Sequence, residues 1–344
     1  MSATNSINIS ALTSYLESQL SWFKGPMTLE KFTGGQSNPT YKVVAQSGTY
    51  VLRSQPLGKL LKSAHAVDRE YKVLDALKNS QVPVADVYHL CTDTQIIGVM
   101  FYLMDFCDGQ VYWDAALPEI ANNATRTAMY DAMNNVLVAL HSVDVNTTGL
   151  TDYGKPGNYF QRQLARWTAQ YKATELQPIA AVHELMQWLE ANLPEDDGRE
   201  CLVHGDFRLD NMMFARDKPE IIAVLDWELS TLGHPFADLA YQCMQLRMPQ
   251  GIGDIQGLQG IDRTSLGIPT EAEYVALYCQ RMGIEKIEHW TFYLSFSFFR
   301  LAAIAQGVAK RAVEGNASNQ NASVVAGFVE PLAKMALSII KEQD

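Results

Sequence analysis

The sequence is short of cysteine, of basic charge and of long apolar runs, and each shortage removes a class of protein. Five cysteines occur in 344 residues: Cys91, Cys107, Cys201, Cys243 and Cys279. The number is odd, no two are close neighbours and no C-x-x-C spacing occurs. Neither a disulfide framework nor a zinc-binding cysteine cluster is expected, and the thiols read as reduced ones of a cytoplasmic protein. Lys and Arg number 27 against 38 Asp and Glu, a formal net charge of −11. That argues against nucleic acid as a partner, because neutralising phosphates needs a basic face. The most apolar stretch, TFYLSFSFFRLAAIAQGV (291–308), is broken by serines and by Arg300. It reads as a buried helix, and no membrane partner is expected. The opening MSATNSINIS has no basic segment followed by an apolar one, so it does not read as a secretory signal. No repeat of the length that marks solenoids is visible.

What is present is globular. Apolar residues make up 47% of the chain and charged ones 19%, and the length exceeds what one core usually supports, so two lobes are expected. Residues 8–22 have a helical pattern. TYKVV and TYVLR alternate and are rich in β-branched and aromatic residues, with AQSG between them as the turn of a hairpin. Residues 63–79 are helical by the spacing of Val67, Tyr71, Leu74 and Leu77. VPVADVYHLCTDTQIIGVMFYLMDF gives two or three more strands. After CDGQ the character changes. Residues 119–146, 158–173, 176–192, 271–283, 288–314 and 324–342 are helical by periodicity, and only CLVHGDF, NMMFA and IIAVLDW look extended. A strand-rich part, 1–104, is therefore followed by a join at 105–109 and a helix-rich remainder, 110–344.

The chemistry concentrates in LVHGDFRLDN (202–211). Asp206 and Asn211 are five apart and flank a short loop between apolar segments. Fifteen residues after Asn211, the apolar run Ile221–Leu225 stops on Asp226. A strand that ends on an aspartate puts a carboxylate at a sheet end. One such carboxylate with an amide oxygen suits Mg²⁺, a hard cation that takes few protein ligands and lets phosphate oxygens complete its octahedron. A second carboxylate, Asp206, can accept or orient the proton of an attacking hydroxyl. The order H-x-D-x-x-x-x-N followed by a metal-binding Asp is a phosphoryl-transfer pattern. Taken alone, His204 and Asp206 would be ordinary turn residues and Asp226 a helix cap; the joint occurrence outweighs that.

A kinase also needs a flexible turn over the phosphates, a cation and its acidic partner. FTGGQSNPTY (32–41) supplies the turn. Gly34 and Gly35 lack Cβ and let backbone N–H groups approach phosphate, although Gly-Gly before a strand is ordinarily just a tight turn. YVLR places Arg53 where kinases carry a lysine on the third strand, and arginine offers phosphate a planar fork. Glu70, in the 63–79 helix, is the expected partner of Arg53. Arg69 is its neighbour, and one of the two must face solvent.

HGDFRLDN with LDWE and GHPFADLAY resembles the aminoglycoside phosphotransferase/choline kinase superfamily, over essentially the whole chain from about residue 25. The resemblance implies an α+β, bilobal protein-kinase-like fold with a small antiparallel-sheet N-terminal lobe and a large, mostly helical C-terminal lobe. It implies ATP and Mg²⁺ as cofactors and a small-molecule hydroxyl as acceptor. Position by position, Asp206 matches the catalytic base, Asn211 and Asp226 the Mg²⁺ ligands, and Asp238 an acidic residue that braces the loop. Arg208 stands where many kinases carry a lysine that contacts the transferred phosphate, and His204 orients the loop. Gly34, Gly35, Ser37 and Asn38 resemble the superfamily's phosphate turn. Met104 is then the residue behind the adenine, with the backbone of Asp105 and Cys107 on its edge. The chain reads Asp226-Trp227-Glu228 where protein kinases read D-F-G, and no A-P-E segment follows, which argues for a small molecule over a protein substrate.

GNYFQRQLARWTAQY (157–171), DFRLDN and FFRLAAIAQGVAKRAVEGNAS (298–318) are similar to a narrower branch, the kinase domains associated with acyl-CoA dehydrogenases. That similarity implies a hydroxyacyl-CoA acceptor. Arg162 and Arg166, four apart on one helix face, are candidates for the CoA phosphates, although such charges are often only a solvated face. An aminoglycoside or choline pocket would instead present acidic and aromatic groups to a cation. An aminoglycoside or amino-alcohol kinase and a nucleotide-binding pseudokinase are the alternatives. The sequence does not set the oligomeric state.

Overall fold

The computed structural model describes residues 7–32, 38–57, 65–251, 256–314 and 325–342. The chain divides into two compact units, one of Met1–Gln110 with Ile222–Glu228 and one of Val111–Ile221 with Leu229–Asp344.

The first unit is built on an antiparallel sheet of five strands: β1 (Met27–Lys31), β2 (Thr40–Ala45), β3 (Gly48–Ser54), β4 (Val87–Cys91) and β5 (Phe101–Asp105), in the order β1-β2-β3-β5-β4. The β2–β3 hairpin turns through Gln46 and Ser47, with Ala45 opposite Gly48 and Thr40 opposite Arg53. Helix α1 (Ile9–Gln19) starts at Asn8, whose side chain accepts from the Ala11 N–H at 3.0 Å. Its Leu12 and Leu16 join Val43, Tyr50, Leu52, Phe101 and Leu103 in one buried cluster. Strand side chains alternate between faces, so with Tyr50 and Leu52 on the α1 side, Arg53 emerges on the other. There it meets α2 (Val67–Leu77), whose buried stripe is Val67, Glu70, Val73, Leu74 and Leu77. Arg69 is exposed. The segment from Ile222 is tied to this unit by the Val224 N–H donating to the Pro83 carbonyl at 2.8 Å.

The second unit is mostly helical: α3 (Asn123–His141), α4 (Tyr159–Thr174), α5 (Ala180–Ala191), α6 (Phe236–Arg247), α7 (Glu271–Met282), α8 (Trp290–Val313) and α9 (Val329–Lys341). Helix α8 is its axis, with α4, α5, α6 and α9 packed around it. Among the described residues it is the one helix long and apolar enough to cross a membrane, but 78% of its most apolar window is buried inside the protein. Short strands Cys201–Val203 and Thr231–Gly233 pair antiparallel, Val203 opposite Thr231. Helix α6 was not expected from the sequence. Every residue from Phe236 to Leu246 is buried, so it has no polar face and no amphipathic period to read.

Candidate active site

In the first unit the site is an ionic cluster around Glu70. Its side chain is 2% exposed and accepts from four donor atoms: Asn38 Nδ2 at 2.6 Å, Arg53 Nε at 2.6 Å and Nη2 at 3.4 Å, and the Tyr102 hydroxyl at 3.1 Å. A buried carboxylate persists only with such compensation. The Arg53 fork is divided: Nη1 donates to Thr40 Oγ1 at 3.3 Å, and Nη2 reaches Asp226 Oδ1 at 2.8 Å. Burial disfavours the charge on Arg53, but Glu70, Tyr102 and Asp226 together more than offset it and push the pKa up. Burial, then Glu70, pushes the Tyr102 phenol well above its usual value. Asp226 has φ +62, a left-handed conformation that costs a non-glycine residue roughly 1–3 kcal/mol. Met104 and Asp105 end β5. Cys107 is half-buried, and burial raises its thiol pKa. Gly34, Gly35 and Ser37 lie outside the described residues.

In the second unit the site is the loop leaving Val203. Asp238, in the first turn of α6, is fully buried and takes two consecutive backbone N–H groups, His204 at 2.6 Å and Gly205 at 2.8 Å. Burial alone would raise the pKa of Asp238; the hydrogen bond and charge of His141, with His204, bring it below the usual carboxylate value. His141 Nε2 lies 3.5 Å from Asp238, and its Nδ1 is 2.8 Å from the Tyr278 hydroxyl. Gly205 has φ +81, and a Cβ there would sit 2.6 Å from the Leu229 carbonyl oxygen; only glycine fits. The Asp206 N–H donates to His204 Nδ1 at 3.2 Å. Asn211 Nδ2 donates to both the backbone carbonyl and Oδ2 of Asp206, each at 2.9 Å. Phe207 and Leu209 are buried and anchor the loop. Arg208 pairs with Asp210 at 2.7 Å and with Asp206 at 3.5 Å.

The donors suit a hard divalent cation. In the second unit the Asn211 amide nitrogen is committed to Asp206, which leaves Asn211 Oδ1 as an oxygen donor, and in the first unit the Asp226 carboxylate is an oxygen donor of the same hard kind. Arg162 donates to the carbonyls of Lys155 and Pro156 at 2.6 and 3.1 Å. Arg166 is exposed beside the Trp167 ring, 5.2 Å from its centroid. Sequence reasoning missed Tyr102, His141 and Arg300 as partners of these groups. Tyr102 sits opposite Arg53 in the β3–β5 register, a signal that appears only once the strands are paired.

The sequence model of the Phosphotransferase enzyme family matches residues 28–273, and the chain belongs to that family. It is a kinase acting on an alcohol group of a small molecule. It is similar to acyl-CoA dehydrogenase family member 10 of Mus musculus, 48% identical over 334 residues, which cover 97% of this chain and 31% of that protein. The chain spans 31% to 43% of the length of the first curated relatives it matches. A solved structure from Ralstonia eutropha JMP134, provisionally named an aminoglycoside phosphotransferase, is 47% identical, with a TM-score of 0.89 and coverage of 97% of this chain and 98% of that one. An aminoglycoside phosphotransferase solved as a ternary complex with AMP-PNP and hygromycin B shares the kinase-like fold at 14% identity. Its TM-score is 0.62, over 96% of this chain and 98% of that one.

Proposed function

We propose that this chain transfers the γ-phosphate of ATP, with Mg²⁺, to the hydroxyl of a hydroxyacyl-CoA. The observation that carries the transfer is the Asp206–Asn211 pair: a carboxylate held by an amide in a loop whose backbone is gripped by a buried aspartate. The acceptor oxygen attacks the γ-phosphorus, the bond to the β–γ bridging oxygen breaks, ADP leaves, and the hydroxyl proton passes to Asp206. Asn211 and Asp226 are the residues that would hold Mg²⁺, and the ion would supply charge neutralisation to the phosphates. Arg53, held by Glu70, and the turn of Gly34, Gly35, Ser37 and Asn38 serve the phosphates. Met104 and the backbone of Asp105 and Cys107 serve the adenine, with 1–104 as the nucleotide lobe, 105–109 as the hinge and 110–344 as the catalytic lobe. Arg208 contacts the moving phosphate. Enzyme-bound nucleotide in neighbours of the same fold supports ATP as donor.

The acceptor class rests on relatives. The chain matches nearly its whole length to part of proteins named for acyl-CoA dehydrogenation. Phosphorylating a hydroxyl on an acyl-CoA converts a poor leaving group into a good one, a step that suits the same thioester chemistry. Exposed Arg166, with Arg162 one turn earlier, is the candidate contact for CoA phosphates. A second reading, an aminoglycoside kinase, is favoured by the name of the Ralstonia structure at 47% identity. Thermal-shift measurement with Mg·ATP and, in turn, hydroxyacyl-CoAs, CoA, choline and kanamycin separates them, since stabilisation grows as RT ln(1 + [L]/Kd). Hydroxyacyl-CoA is expected to stabilise the protein and to release ADP. Turnover of kanamycin or choline with none of hydroxyacyl-CoA sinks the first reading.

A further inference from the structure

The most apolar helix of the protein carries one charge in the middle of its buried length. Arg300 of α8 is 8% exposed and sits among Phe296, Phe298, Phe299 and Ala303, all buried. A cation so placed is costly unless it is engaged on several sides. Its guanidinium lies against two aromatic rings, 5.0 Å from the centroid of Tyr241 in α6 and 5.7 Å from that of Trp167 in α4. Among the described residues no carboxylate forms an ion pair with it. Its hydrogen-bond acceptor is instead a main-chain oxygen: Nη2 donates to the carbonyl of Gly205 at 2.5 Å.

That carbonyl belongs to the peptide bond that enters Asp206. The other side of the same peptide, the Asp206 N–H, donates to His204 Nδ1. The preceding peptide is held by Asp238 through the Gly205 N–H. Arg300 therefore completes a clamp in which both polar groups of the 205–206 peptide are engaged. We propose that Arg300, caged between Trp167 and Tyr241, is a positioning residue that fixes the 205–206 peptide and thereby the direction of the Asp206 carboxylate. The proposal rests on Asp206 being the acceptor-side carboxylate. The Tyr241 phenol supports the same placement: burial first, then the neighbouring Asp206 charge, raise its pKa, so its proton stays on and can face that carboxylate. A cation that reaches its target from an apolar helix also explains why the helix tolerates the interruption. The guanidinium is weakly hydrated and stacks on aromatic faces, which an ammonium does less well.

The test compares R300M, R300K and W167L, the last removing one face of the cage and leaving the cation. Hydrogen exchange of the 202–212 segment is read with ADP release from Mg·ATP and a hydroxyacyl-CoA. In R300M the Gly205 and Asp206 amides are expected to exchange about tenfold or more faster while α4 and α6 keep their protection. Turnover is expected to fall about tenfold to a hundredfold, with KM for ATP within about twofold. R300K is expected to recover part of kcat, and W167L to show a smaller loss of the same kind. Unchanged exchange in the loop overturns the proposal, as does acceleration spread evenly over α4, α6 and α8, which would mark a merely structural residue. If R300M does not fold, W167L and R300K decide by the same two readings. If wild-type protein turns over no hydroxyacyl-CoA, or D206N remains fully active, the proposed function fails, while the exchange measurement still decides the clamp.

Discussion

The two units hold their polar residues in opposite ways. In the first, side chains hold side chains: Glu70 gathers Asn38, Arg53 and Tyr102, and Arg53 extends to Asp226. In the second, charged side chains hold main chain: Asp238 takes the N–H groups of His204 and Gly205, and Arg300 takes the Gly205 carbonyl. The first arrangement fixes charges, which the proposed function turns toward phosphate, and leaves them movable as side chains. The second fixes a backbone, so that the groups on it, Asp206 and Asn211, are aimed before any ligand arrives. A transition state of phosphoryl transfer asks mostly for position and charge neutralisation; under the proposed function the first arrangement serves the charge and the second the position.

The largest expected effect separates the two roles. D226A, which removes the carboxylate proposed to hold the metal, is expected to lower kcat by more than about 10³-fold. D206N keeps the shape of the loop and removes only the carboxylate proposed as proton acceptor, at a cost of roughly 10²-fold. Steady-state ADP release measures both. The opposite order would mean that Asp206, and not the pair proposed to hold the metal, dominates the chemistry.

Next come the two buried anchors. D238A leaves two consecutive buried N–H groups without their acceptor and opens a hole beneath the loop, at about 3–5 kcal/mol. E70A strands Arg53 only in part, because Asp226 still pairs with it, and about 3 kcal/mol is expected. Urea unfolding gives the totals, and hydrogen exchange shows where each is felt. D238A is expected to loosen 204–211 and α6, and E70A to loosen α2 and its strands. If E70A deprotects the 204–211 loop as strongly as D238A does, the two anchors are not separate.

The same contrast explains what could be read from the sequence. Residues whose chemistry lies in their own side chains, such as Asp206, Asn211, Arg53 and Glu70, stood out by type and order, and the 63–79 helix placed Glu70 on a broad apolar face. Tyr102, His141 and Arg300 did not stand out, because each acts on a group that sequence spacing does not link to it. Arg300 was visible only as an interruption of an apolar run, and its target is a carbonyl 95 positions away. Asp210, to which the motif gave no task, is the partner of Arg208 at 2.7 Å. Strands and amphipathic helices were legible because they keep one polar face. Helix α6, buried on all sides, was not.

A smaller effect follows from pH. The folded-state pKa of Asp238 lies below its unfolded value of 3.8. The stability it contributes is therefore fully present above the unfolded value and is lost as pH falls through the folded one. Replacing the group by a non-titrating one removes that dependence, so D238N is expected to be less stable at neutral pH and to lose less further stability on acidification below about pH 4. Urea midpoints at a series of pH values check this. An acid limb as steep in D238N as in the wild type would place the acid sensitivity elsewhere.

The smallest effect tests the proposed substrate contact, where one helix carries two arginines in different situations. Arg162 engages the carbonyls of Lys155 and Pro156 and so stabilises the loop that leads into α4. Arg166 lies exposed beside Trp167. If the acceptor carries the phosphates of CoA, R166A removes one charge-assisted contact, and KM for hydroxyacyl-CoA is expected to rise about tenfold at low salt with kcat unchanged. The change is expected to shrink as salt screens the exposed charge. R162A is expected to change thermal stability by about 1 kcal/mol and to leave KM nearly constant. A reversed pattern, with KM following Arg162 and stability following Arg166, would show that the carbonyl contacts open on binding and that the inner arginine reads the substrate.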